Sequence, residues 1–267
     1  MCHLTVPVSF RSFGENDMKL DVYSFTSQGG RGNNEDSVGF RTEDDYGLFV
    51  VADGLGGHAK GEVASDCVIK VLLDNWSPVL QDNEPSRAQW LSEKFFEANQ
   101  AILNIQKAES GDMKSTGVAL AIDGDKACWA HVGDSRLYYI TKESRHGTSQ
   151  IMHITEDHSV AFKKYLAGMI TRWEINSDDD QSSLLRTLGS ADRFEITPGP
   201  EDIQLTSDDA FLLCSDGVWE YLHDMDILVD FLKSQNAGEW GYRLLSRVMD
   251  RVDGSNDNLS LITVIIG

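Results

Sequence analysis

Apolar residues along this chain fall into short runs punctuated by Gly, Asp and Asn, with two longer stretches of helical spacing between them. YGLFVVADG (46–54) is a run of the first kind and predicts a buried strand closed by a turn. From Gly61, EVASDCVIKVLLDNW carries apolar residues three and four apart. After a Pro/Asn break, SRAQWLSEKFFEANQAILNIQKAE (86–109) repeats the pattern, so two helices in succession are predicted. GVALAIDG, KACWAHVGDS, RLYYIT and QIMHIT then read as short strands. Gly-Asp at 124–125 and again at 133–134 predicts hairpins, and the whole predicts an antiparallel meander. Residues 156–195 are irregular: AFKKYLAGMITRWEI is charged and SDDDQSS acidic, which predicts a solvated, mobile flap over about 158–195. Strand character returns in DIQLTS and AFLLCSDG, helices are predicted around 218–234 and 239–251, and NLSLITVIIG closes the chain as a buried strand. No repeat or Gly/Ser linker divides it. One α+β domain with antiparallel sheets and outer helices fits this order better than alternating βαβ units.

Chemistry enters where apolar runs end. FVVADG and LLCSDG each carry an Asp, Asp53 and Asp216, out at the end of a buried strand. DGSNDNLSLITVIIG and NNEDSVGF do the converse, setting Asp257, and Glu35 with Asp36, just before or at the start of one. Starts of some strands lie beside ends of others in an antiparallel sheet, so all five acids are candidates to meet at one edge. Taken singly, an Asp-Gly is most simply a turn. Gathered in a partly desolvated cleft, five carboxylates repel and must take up protons or cations. Oxygen-only ligands without His or Cys at metal spacing favour Mg²⁺ or Mn²⁺ over zinc, and an acid able to bridge suggests two ions. Arg31 is a second source of positive charge near Glu35 and Asp36.

GLGGHA (54–59) raises a rival, because it fits the G-x-G-x-x-G/A turn of dinucleotide-binding folds, with Asp74 following at a suitable distance. Asp53 just before the turn would repel a pyrophosphate, and a helix rather than a parallel strand follows the first helix. No GxxxxGK[ST] is present to support a P-loop enzyme.

Composition narrows the classes further. At 267 residues and 41% hydrophobic, the chain has ample material for one large core rather than disorder. Acidic residues outnumber basic ones 43 to 23, for a formal charge of −20. That balance opposes binding to nucleic acid or anionic membrane by charge alone, and its plainest meaning is solubility. Cys2, Cys67, Cys128 and Cys214 show no CxxC spacing, and the last three sit in apolar runs, as expected in a reducing cytoplasm. MCHLTVPVSFRSFGENDMK lacks the features of a secretory signal, and no segment reaches the roughly 18 apolar residues of a membrane helix. A soluble, uncleaved, cytoplasmic monomer is expected.

RGNNEDS, ADGLGGHAKGEVAS, HVGDSR, CSDG and DN, in this order, resemble the motifs of the PPM-type metal-dependent serine/threonine protein phosphatases, also called protein phosphatase 2C. The resemblance covers residues 22–266, and Leu55 after ADG makes the chain more similar to bacterial members than to eukaryotic ones. It implies an antiparallel β-sandwich flanked by helices on both faces, a four-layer α-β-β-α arrangement. It further implies a phosphatase domain over 22–267 after an N-terminal extension, 1–21. By the same resemblance Asp53 bridges two Mn²⁺ or Mg²⁺ ions, Asp216 and Asp257 complete one, and Glu35 with the Gly54 carbonyl the other, while Asp36 holds a metal-bound water. Arg31 matches the phosphate-binding arginine, a planar guanidinium suited to two phosphoryl oxygens. A salt bridge to Glu35 or Asp36 is its alternative. Asp134 in HVGDSR matches an acid that binds a third ion with Asp216 in bacterial members, whereas from sequence alone it is a hairpin-turn residue.

The implied reaction is direct hydrolysis of phosphoserine or phosphothreonine in proteins by a water activated between two ions, with no covalent intermediate. Leu55 stands where eukaryotic members carry a His proposed as leaving-group acid, and His58, three residues on, reads as helix-entry structure or as that acid. Expected partners are phosphorylated proteins, including a cognate Ser/Thr kinase or its targets. A catalytically silent regulatory module of the same fold is the alternative, which the intact acids oppose.

Overall fold

The computed structural model describes residues 18–56, 60–74, 76–77, 85–109, 111–142, 148–192, 194–207 and 209–267. Cys2, His58, the second half of GLGGHA (57–59) and most of the extension 1–21 therefore lie outside the described residues. In order, the elements are β1 (Leu20–Ser27), β2 (Asp36–Glu43), β3 (Tyr46–Gly56), α1 (Gly61–Asp74), α2 (Arg87–Glu109), β4 (Met113–Ser115), β5 (Gly117–Asp123), β6 (Lys126–Val132), β7 (Arg136–Thr141) and β8 (Gln150–Ile154). There follow α3 (Val160–Leu166), a 3₁₀ turn (Trp173–Ser177), β9 (Thr197–Pro198), β10 (Ile203–Gln204), β11 (Asp209–Cys214), α4 (Asp216–Trp219), α5 (Asp224–Leu232), α6 (Ala237–Met249) and β12 (Leu259–Ile266).

Two antiparallel sheets result. One runs β1-β12-β11-β7-β8 and the other β10-β6-β5-β3-β2, with β4 added to β3 and β9 to β6. Period-two alternation assigns each strand's side chains to two different cores. In β3, Phe49 and Val51 point between the sheets while Leu48, Val50 and Ala52 face α1 and α2. In β11, Phe211 and Leu213 point between the sheets while Ala210, Leu212 and Cys214 face α4–α6. Sheets covered on both faces need strands that are apolar throughout, which is why these segments read as continuous runs. α1 turns Ala64, Val68 and Leu72 inward, and α2 turns Leu91, Phe95, Ala98 and Ile102. The four-layer α+β sandwich expected from the motifs is the architecture observed.

Two expectations change. Gly124-Asp125 joins β5 to its neighbour β6 as predicted, but Gly133-Asp134 is not a hairpin. β6 pairs with β5, β9 and β10, whereas β7 pairs with β11 and β8, so this turn carries the chain from one sheet to the other. Apolar runs on both sides of a Gly-Asp look alike whether the strands pair or part. Residues 158–195 are also less solvated than expected. Phe162 and Ile175 enter one helix-covered core and Leu188 the other, and Lys164 pairs with Asp178 and Asp180 of the acidic stretch.

Candidate metal centre

The two sheets bring the same kind of strand end to one pole of the sandwich. β12 pairs antiparallel with both β1 and β11, so its start lies beside the ends of both, and Ser215 donates from its backbone to the Ser260 carbonyl at 3.0 Å. The start of β7 lies beside the end of β11 through Arg136 opposite Cys214. In the other sheet the start of β2 faces the end of β3, with Asp36 directly opposite Asp53. Directly opposed like charges oppose strand pairing, so this register needs compensation.

The five acids of the strand ends, and Asp134, arrive at this pole; Asp74 ends α1 beside Arg41 instead. Asp53 is held through its main chain: its N–H donates to Thr116 Oγ1 at 3.0 Å, and its carbonyl accepts from the Thr116 N–H at 2.8 Å and Ser115 Oγ at 2.9 Å. Its carboxyl neighbours that of Asp216, whose charge opposes its ionisation. Asp216 opens α4 immediately after β11. Asp36 is buried and accepts from Ser215 Oγ at 2.7 Å. Glu35 is set by its neighbours: its N–H donates to Asn258 Oδ1 at 2.8 Å, and its carbonyl accepts from the Gly54 N–H and from Ser65 Oγ. Gly54 and Gly61 touch backbone to backbone, and a Cβ on Gly61 would stand 2.6 Å from Glu35 Oε2. Only glycine lets α1 begin this close to that carboxylate and to the Gly54 peptide.

Asp134 is 3% exposed, and its main chain is fixed by Trp219 Nε1, which donates to its carbonyl at 2.9 Å. Gly133, at φ +99°, packs against Thr116 with no room for a Cβ. Asp257 is partly open and accepts from Arg31 Nη2 at 2.5 Å, so the arginine's partner is Asp257 rather than Glu35 or Asp36. Arg31 is placed by Gly29 and Gly30, which lie directly on the main chain of residues 254–257. Its side chain remains 58% exposed.

The electrostatics follow from burial and like charge. Burial, then Asp216 and the other acids, raises Asp53 well above the usual carboxylate range. Burial likewise raises Asp134, with Asp216 next, and lifts Asp36 to about 7 and Asp216 to about 6. Glu35 is raised by burial and by Glu62, whose Oε2 is buried without a hydrogen-bond partner. Asp257 in turn raises Arg31. Burial and mutual repulsion thus make ionisation of these acids costly unless positive charge is supplied. As they stand, no three His, Cys, Asp or Glu side chains among the described residues form a closed ligand cage. The positive charge beside them is Arg31, paired with Asp257. The donor set is all oxygen and carries more negative charge than one arginine offsets, and so fits hard divalent ions.

Sequence reasoning missed the polar residues that hold these acids. Asn258 bonds Glu35 and the carbonyls of Gln28 and Asn33, and Thr116, Ser135, Ser215 and Ser260 lie buried between strands. Their signal was a polar residue inside an otherwise apolar run. Arg136, fully desolvated, pairs with Asp157 through two bonds of 2.8 and 2.7 Å and stacks 3.5 Å over Trp219, steadying the residue that holds Asp134.

The profile of the family described as Protein phosphatase 2C matches residues 29–239. The serine/threonine phosphatase stp of Listeria welshimeri is 30% identical over 211 residues, covering 78% of this chain and 80% of that protein. The structure of serine/threonine phosphatase Stp1 from Staphylococcus aureus superposes with a TM-score of 0.80 at 26% identity, covering 97% of this chain and all of that one. The catalytic domain of the phosphatase PstP in complex with two manganese ions gives a TM-score of 0.72 at 28% identity, covering 93% and 99% of the two chains.

Proposed function

The chain belongs to the protein phosphatase 2C family, and from that premise we propose that it hydrolyses phosphoserine and phosphothreonine in proteins with the help of divalent cations. The observation that carries the proposal is the convergence of Glu35, Asp36, Asp53, Asp134, Asp216 and Asp257 at one pole, raised toward neutrality by burial and one another, with Arg31 the neighbouring cation. In this reading Asp53 would help hold both of two core ions, Asp216 and Asp257 one of them, and Glu35 with the Gly54 carbonyl the other. Asp134 and Asp216 would hold a weaker third. The manganese in PstP supports Mn²⁺, and Mg²⁺ is the second candidate.

When bound, the ions lower the pKa of water toward 7 and neutralise charge on the phosphoryl oxygens. The chain's own residues do the rest. Arg31, on a loop fixed by two close-packed glycines and exposed over half its side chain, grips the equatorial oxygens in a planar fork once phosphate displaces Asp257. Asp36, buried and hydrogen-bonded by Ser215 Oγ, would hold an ion-bound water. Thr116, Asn258 and Ser65 hold the backbone of Asp53 and Glu35 so that ligand geometry does not relax.

The catalytic unit spans 22–267, joined by Leu20 and Asp21 of the expected extension 1–21 as the start of β1, and the segment 158–195 borders the pole as the part that meets the protein substrate, a cognate Ser/Thr kinase or its targets. Among the described residues no helix is long and apolar enough to cross a membrane; a cytoplasmic monomer is the form proposed. Retention of every acid opposes the catalytically silent alternative. The test is hydrolysis of a phosphothreonine peptide after chelation and on adding back Mn²⁺: activity is lost and then restored. Undiminished turnover in excess chelator rejects the reading.

A further inference from the structure

Gly133 is gripped from one side by a single residue. The His158 N–H donates to the Gly133 carbonyl at 2.9 Å, and the Gly133 N–H donates to His158 Nδ1 at 3.0 Å. A peptide N–H is always a donor, so Nδ1 is the unprotonated nitrogen and the ring proton sits on Nε2. Nε2–H then donates to Thr197 Oγ1 at 2.9 Å, and Arg186 Nη1, which lies 3.3 Å from Nε2 but can only donate, directs its hydrogen to Thr197 Oγ1 at 3.2 Å instead. The ring stacks on His131 with centroids 4.6 Å apart and planes 15° from parallel. Burial, then His131 and Arg186, depresses His158 to about 3, so the neutral tautomer persists through the physiological range. His158 also opens the segment 158–195, and its carbonyl accepts from Leu185 at 2.7 Å, where the segment returns. His158 thus ties the turn carrying Asp134 to Leu185 through its main chain and to Thr197, just past the segment, through its imidazole.

We propose that His158 is a positioning residue for Asp134: its Nδ1 holds the Gly133 amide and thereby sets the carboxylate of Asp134 where it serves the weak third cation. The inference rests on the proposed cation role of Asp134. Thr116, between β4 and β5, and Trp219, in α4, fix the turn from two other sides, while His158 is its link to 158–195. How that segment is seated therefore bears on the occupancy of the third site.

Three substitutions separate the ring's atoms. His158→Asn keeps an acceptor near Nδ1, His158→Gln keeps a polar group near Nε2, and His158→Phe keeps the stack with neither. Calorimetric Mn²⁺ titration of the full chain without substrate, beside phosphopeptide turnover and thermal melting, is the readout, with Asp134→Ala as reference. The Gln and Phe variants are expected to weaken only the weakest Mn²⁺ association, roughly 10- to 100-fold as for other residues that orient ligands, with Asn within about threefold of wild type. Wild-type titrations in Gln and Phe, while Asp134→Ala loses the weak site, overturn the role of His158 alone. A weak site intact in Asp134→Ala overturns the cation role of Asp134 instead. Equal loss in all three His158 variants also rejects the Nδ1 assignment. Should the Gln and Phe variants not fold, ¹⁵N spectra of the wild type decide. An Nε2–H tautomer, with a Gly133 amide that shifts over the Mg²⁺ range filling the weak site, supports the proposal, and an Nδ1–H tautomer or an unmoved amide contradicts it.

Discussion

Gly124-Asp125 and Gly133-Asp134 are the same dipeptide nine residues apart, each between two apolar strands, and the fold uses them in opposite ways. The first closes a hairpin at the rim: Gly124 takes φ +61° with only Asp45 Oδ2 near its missing Cβ, and Asp125 is exposed and bonded to Gln204. The second crosses between sheets at the acid pole, with Gly133 pressed on Thr116 and Asp134 buried beside Asp216. Local sequence specifies a turn in both cases. What surrounds the turn decides whether its carboxylate is hydrated or made costly enough to want a cation.

Substitution at the two glycines should separate the turns most. Gly133→Ala combines an unfavourable φ with a clash against Thr116 and is expected to cost roughly 3–5 kcal/mol. Gly124→Ala, strained but in open space, should cost only about 1–2 kcal/mol. Urea unfolding measures both, and equal losses would mean that Gly133 has room to relax. Next are the aspartates: Asp134→Ala should lower phosphopeptide turnover by about 10²-fold, the scale of losing one preorganised electrostatic group, with little change in melting temperature. Asp125→Ala should leave turnover unaltered.

That the first Gly-Asp was legible as a hairpin and the second was not has a physical reason. KACWAHV and RLYYIT are buried on both faces, so neither carries the alternation that tells a strand which sheet it joins. The acids themselves were legible, because each sits where an apolar run begins or ends, a boundary that burial imposes. The polar residues that hold them were not: Asn258, Thr116 and Ser215 interact across long sequence separations, which no local pattern records. Residues 158–195 were misjudged for the same reason. Ile175 and Leu188 are isolated apolar residues in a polar stretch, and what buries them is the shape of two cores built elsewhere.

The acid pole should also give the ion-free protein an unusual pH dependence. Asp36 and Asp216 bind protons more tightly when folded, at about 7 and about 6, than when unfolded. Their contribution to stability is therefore present at low pH and lost as pH rises through about 6 to 7. The melting temperature of chelated protein should fall between about pH 5 and pH 8, and added Mn²⁺ should remove that fall; a rise with pH in the chelated protein would contradict the burial account. The smallest effect is expected at Arg31, which is exposed. Arg31→Ala should mainly raise KM for phosphopeptide, with a lesser loss in kcat, if the guanidinium holds ground state and transition state about equally. A loss confined to kcat would assign it to the transition state.

The central claim is that the carboxylates of this pole act together as one cation site, with Asp53 common to both core ions. Bound Mn²⁺ per chain, counted by equilibrium dialysis in wild type and in Asp53→Asn and accompanied by phosphothreonine-peptide turnover, tests it most directly. The account predicts two tightly held ions in wild type, both weakened together in Asp53→Asn, with turnover abolished while the fold persists. Two tight ions and near-normal turnover in Asp53→Asn would contradict it.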